Sequence, residues 1–170
     1  VCPALYWDST EDADALYLKN QRQWVGRYLR ENLGGNLDIY RNAAFLTLDT
    51  DDCYGNVHPR DAQISESVLI VCAEIQRQLA EGQLELQEDE CIAMTKQAFF
   101  RIITNCRNKW KNAWSKEYCE MDEDRLVETI LKYMTDWMMV RSKEERITVL
   151  PAVGRLAGQY PSDYKGDGEQ

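Results

Sequence analysis

Apolar residues recur at helical spacing between Ile64 and Leu79. Ile64, Val68, Val71, Cys72, Ile75 and Leu79 follow one another at intervals of one, three or four residues. That pattern draws a continuous apolar stripe along a helix spanning Asp61–Ala80. Leu69 and Ile70 widen the stripe, so the helix needs neighbours on more than one side. Other elements must pack around it, and helices are the first candidates.

The chain supplies them. Thr10–Leu33 opens behind Ser9, a capping residue, with Glu11, Asp12 and Asp14 in its first turn, where the helix dipole favours them. Ala13, Tyr17, Trp24 and Tyr28 share one stripe, Leu18, Val25 and Leu29 lie beside it, and Gly34 provides a stop. Gln87–Lys111 begins in Glu88, Asp89 and Glu90 and ends in Arg107, Lys109 and Lys111. Its inner face is Ile92, Thr95, Phe99, Ile102, Ile103 and Cys106. Asp122–Arg141 carries Leu126, Ile130, Tyr133, Met134, Trp137 and Met138. Ser142 and Glu145 form a capping-box pattern ahead of Ile147 and Leu150, which predicts a short C-terminal helix. Leu37–Leu48 reads equally as a short helix or an extended segment. The expected fold is all-α: a bundle of four main helices plus a short C-terminal helix, in one domain over 1–158, with a polar tail over 159–170.

Six dispersed cysteines, Cys2, Cys53, Cys72, Cys91, Cys106 and Cys119, accompany a single histidine, His58. No Cys-x-x-Cys pair is present, so the spacing of a structural zinc site is missing. An even, scattered set points to three disulfides stapling the bundle in a secreted, extracellular protein. Val1-Cys2-Pro3 reads as an end left by signal-peptide removal. Folding the two long central helices antiparallel about Glu85 sets Ile64 opposite Cys106 and Cys72 opposite Ala98. Cys72–Cys91 is then disfavoured.

Composition narrows the function. A net charge of -9 repels nucleic-acid phosphate and anionic lipid at long range, so general nucleic-acid binding is not expected. No apolar run is long enough for a membrane-spanning helix. Asp49, Asp51 and Asp52 are the weak candidates for a metal, with calcium the cation such oxygens would take. Thr50-Asp51-Asp52-Cys53-Tyr54 is similar to the His-Asp-x-Cys-Tyr string of secreted calcium-dependent phospholipases. Thr50 stands where that family has its general-base histidine.

One cationic stretch interrupts the acidic background: Arg107, Lys109, Trp110, Lys111, Trp114 and Lys116. Trp110 and Trp114, four apart on a helix, would form an aromatic ridge, and tryptophan is enriched at binding hot spots. These six residues are the expected partner-binding site. The functional expectation is a secreted, non-enzymatic interaction protein of effector, toxin or signalling type. It would bind a protein partner or receptor, or a glycan, and need no cofactor beyond a possible calcium ion. The alternatives are a carrier holding a small hydrophobic ligand near Met134, Trp137, Met138 and Met139, and a calcium-dependent secreted hydrolase.

Overall fold

The computed structural model describes residues 3–7, 12–49, 57–156 and 158. Where one helical domain is expected, the chain divides into two compact units, Val1–Pro59 and Arg60–Gln170.

The first unit runs β1 (Leu5–Tyr6), α1 (Ala13–Asn20), α2 (Arg22–Leu33), β2 (Gly35–Ile39) and β3 (Ala43–Leu48). Its antiparallel sheet has the order β1-β3-β2. Asp12 caps α1, its carboxylate accepting from the amides of Asp14 and Ala15. The expected single helix breaks at Gln21, and α2 ends at Gly34 in the left-handed conformation, φ 60°. Gly35 follows because the strand backbone passes close to its partner. A Cβ there would lie 2.8 Å from the Leu46 Cδ1 atom. The core is small: Trp7, Ala15 and Ala44, with Leu18, Leu37 and Ile39 packed against them. The Trp7 indole donates to the Arg41 carbonyl at 2.8 Å, and Lys19 Nζ sits 5.2 Å from the centre of its ring.

The second unit runs α3 (Gln63–Ala80), β4 (Ile92–Thr95), α4 (Lys96–Lys109), α5 (Lys116–Glu120), α6 (Glu123–Asp136), β5 (Val140–Lys143) and β6 (Arg146–Val149). A 3-10 turn, Pro151–Gly154, follows. The sheet order is β4-β6-β5, all antiparallel. The α3 helix packs on α4 and α6 through Val68, Val71, Cys72 and Ile75. Phe99, Ile102, Ile103 and Cys106 of α4 and Leu126, Ile130 and Met134 of α6 meet that face. Ile92, Met94, Val140, Ile147 and Val149 close the core from the sheet. The second unit thus runs helix, strand, three helices and hairpin, with its first strand paired to its last. The first unit has the same strand, helices and hairpin order from its first strand onward, with two helices in place of three.

Several expectations are overturned. The fold is not all-α: two three-stranded sheets accompany six helices among the described residues. Of the two readings of Leu37–Leu48 the extended one holds, as most of the β2–β3 hairpin. The helix expected from Gln87 starts at Lys96, because Ile92–Thr95 alternates buried and exposed residues as a strand does, and Thr95 Oγ1 caps α4. The helix expected to reach Arg141 ends at Asp136. The capping-box pattern at Ser142 is instead part of a β5–β6 hairpin, turning at Glu144, φ 52°, and Glu145.

The disulfide framework is also corrected. Cys72, Cys91, Cys106 and Cys119 are free thiols, while Cys2 and Cys53 lie outside the described residues. Cys72 and Cys106 are small apolar fillers of the core. Three disulfides stapling the chain are therefore not formed, since four of the six cysteines are free. The tail 159–170 also lies outside the described residues.

Candidate functional site

The expected aromatic ridge does not form. Trp114 is buried in the core of the second unit, against the edge of Tyr118 with ring centres 6.4 Å apart. Arg107 is buried too. Its guanidinium donates to the Met121 carbonyl at 3.0 Å and to Glu123 Oε1 at 2.6 Å, tying α4 to the start of α6. Trp110 is half-buried, with Lys109 Nζ 5.4 Å from its ring centre. Lys111 is exposed, and Lys116 lies 3.7 Å from Glu120 one turn along α5. The cations of this stretch mostly serve the unit's own packing and ion pairs.

The other candidates scatter. Asp49 is exposed and accepts from Asn36 Nδ2 at 2.8 Å, whereas Asp51 and Asp52 lie outside the described residues. No group of three or more metal-ligating side chains is found among the described residues. His58 is fully buried, and burial lowers its pKa to about 4, so it is neutral at physiological pH. Burial pushes the Cys106 thiol up to about 12 and raises Cys72 further still, with the Cys106 thiol adding to the effect. Neither is a ready nucleophile. The connection between the two long helices is not a simple turn about Glu85, because β4 stands between them in the chain.

The second unit also carries an open groove of about 590 Å³ between α4, α6 and β6. Phe100, Val127, Leu131 and Ile147 floor it, and Lys96 and Asp124 stand at its rim. It is a surface groove and not a closed ligand cavity.

A different surface stands out in the first unit. Not one residue of α2 is buried. Trp24 and Tyr28 stack on its outside with ring centres 5.6 Å apart and planes 18° from parallel. Trp24 is 55% exposed and Tyr28 53%. On α1, Leu16 and Tyr17 are exposed, and Tyr40 is exposed beside the β2–β3 turn. Among the described residues, every large hydrophobic side chain that stays exposed, Leu86 excepted, belongs to this unit. Isolated exposed apolar side chains are ordinary, whereas contiguous ones point to interaction, and Trp24 and Tyr28 are contiguous through their stacked rings. The inner stripe of α2, Val25 and Leu29, is half-buried. The outer stripe is left over.

Charge sets the same helix apart. Arg22, Arg27 and Arg30 face only Glu31 within α2. Arg30 donates to Asn36 Oδ1 at 2.5 Å. Among the described residues, Arg22 and Arg27 form no ion pair. The sequence did show the stripe Tyr17, Trp24 and Tyr28. What it lacked was any sign that this stripe, and not its neighbour, would remain uncovered.

A family described as "Protein of unknown function (DUF2398)" covers residues 1–159. No curated protein matches the chain.

Proposed function

This chain belongs to the DUF2398 family, and we propose that it is a non-enzymatic interaction protein whose first unit docks a protein partner along the outer face of α1 and α2. The observation that carries this reading is the stacked Trp24–Tyr28 pair, half-exposed on a helix with no buried residue. Rigid aromatic side chains give large contact area at low entropic cost, so they anchor protein interfaces. The neighbouring arginines supply directional hydrogen bonds at the rim.

A nucleic-acid duplex is the competing occupant, since the second helix of such a unit is the one that enters a major groove in helix-turn-helix proteins. Two bulky aromatic rings on the outward face speak against it. Base edges are read mostly by slender polar side chains, and phosphates by cations. The net charge of -9 speaks against it as well.

The reading is tested by placing a photo-crosslinkable residue at position 24 in host cells. A second copy of the protein carries it at Lys132, exposed on α6. Discrete protein adducts from position 24 and not from position 132 are expected. Adducts to nucleic acid, or none from position 24, would refute the reading.

A further inference from the structure

The two units share one sheet topology, but they differ in what covers their helices. In the second unit, α3 lies across α4 and α6 and buries its apolar stripe on them. In the first unit, no described element takes that place. Among the described residues, α2 packs chiefly on β2, and α1 packs on α2. On these helices Leu16, Tyr17, Trp24 and Tyr28 are exposed. The second unit therefore shows the kind of element that completes such a pair: an amphipathic helix.

Charge says which kind of helix. Across α1 and α2, Lys19, Arg22, Arg27 and Arg30 stand against Asp14 and Glu31, a cationic island on a chain of net charge -9. Arg22 and Arg27 have no ion partner among the described residues. A partner segment with carboxylates flanking its apolar stripe would meet those guanidiniums, and a basic segment would be repelled.

From the open face, the repeat and the charge together, we infer that the docking partner presents an acidic amphipathic helix to the Trp24–Tyr28 face of the first unit. This rests on the protein-docking reading above and goes further by naming the partner's chemistry. Apolar side chains at i, i+3, i+4 and i+7 of that helix pack on Tyr17, Trp24 and Tyr28. Its Glu and Asp residues reach Arg22 and Arg27.

The test uses the full chain and a displayed library of helical peptides about five turns long. A leucine stripe is fixed and the flanking positions are randomised. Selected peptides are expected to be rich in Glu and Asp at the flanks. Their affinity should fall about tenfold or more on Trp24→Ala and on Arg27→Glu, with Arg27→Lys close to wild type. Both weakening substitutions are at exposed positions, so the melting temperature should not move. Basic or charge-neutral winners, no winners, winners indifferent to both variants, or winners displaced by a short DNA duplex would each overturn the inference. Crosslinking at position 24 separates the two failures. If protein adducts form there while acidic helices are not selected, the surface stands and the partner's chemistry falls. If position 24 yields no protein adduct, both fall.

Discussion

Arg107 reaches from α4 to Glu123, in the first turn of α6, at 2.6 Å, and the same guanidinium holds the Met121 carbonyl at 3.0 Å. The Arg107 side chain is 10% exposed and the Glu123 side chain 52%. The arginine is thus the buried partner, and the carboxylate keeps half its contact with water. Removing each one should therefore have unequal effects.

Arg107→Ala should destabilise the second unit by about 2 kcal/mol, because it deletes buried packing and orphans the Met121 carbonyl. Glu123→Gln should cost about 1 kcal/mol or less, since the carboxylate is half solvated and the amide oxygen still accepts. Urea unfolding of the two variants checks the order. Equal losses would show that the ion pair, and not the buried arginine, carries the energy.

Gly26 and Gly34 should respond in opposite directions to alanine. Gly26 lies inside α2, and a methyl group there would meet nothing within 4 Å, so Gly26→Ala should stabilise by about 0.5–1 kcal/mol through helix propensity. Gly34 holds φ 60°, and Gly34→Ala should cost about 1 kcal/mol. Melting temperatures of the two variants read this directly, and a gain at both positions would contradict the left-handed cap.

Native thiol labelling should separate two classes of cysteine. Cys119 is half-buried and should react, while Cys72 and Cys106 should stay unmodified until the protein unfolds. Peptide mapping after alkylation distinguishes the sites. The pH dependence follows the same cause. Burial raises Cys106 from 9.0 to about 12, so the folded thiol stays neutral where the unfolded one ionises. Its stabilising contribution is complete below pH 9.0 and is lost as the pH rises from there towards about 12. Cys106→Ala should flatten that alkaline decline even though it lowers stability at neutral pH.

His58 should behave in the opposite sense. Burial depresses its pKa from 6.5 to about 4, so the folded state disfavours the imidazolium. The stability this contributes is complete above pH 6.5 and fades as the pH falls towards about 4. Because His58 is the sole histidine, its imidazole resonances are unambiguous. They should not shift between about pH 5.5 and 8, and a midpoint near 6.5 would place the ring in water.

The long helices were legible because each has an apolar stripe several turns long. Gln63–Ala80 and Glu123–Asp136 begin within two residues of their expected starts. The strands were hidden by their length and by competing signals. Ile92–Thr95 offers four residues of alternation in front of a strong helix. In β5–β6 the pattern Ser142…Glu145 imitates a helix cap, although Arg146-Ile147-Thr148-Val149 is rich in β-branched residues. The cysteines misled because an even count says nothing of distance, and two of the four described thiols are simply core. The aromatic surface was half legible. Two adjacent stripes run along α1 and α2, and only the fold shows that Val25 and Leu29 are half-buried while Trp24 and Tyr28 stay exposed.

The central claim is that this outer stripe is a docking face, and its most direct measure is affinity. Once a protein crosslinked at position 24 is identified, its dissociation constant is compared for the wild type and for Trp24→Ala/Tyr28→Ala. Loss of two stacked anchors predicts a weakening of about thirtyfold or more, with the unfolding midpoint unchanged. The same dissociation constant for both proteins would contradict the account.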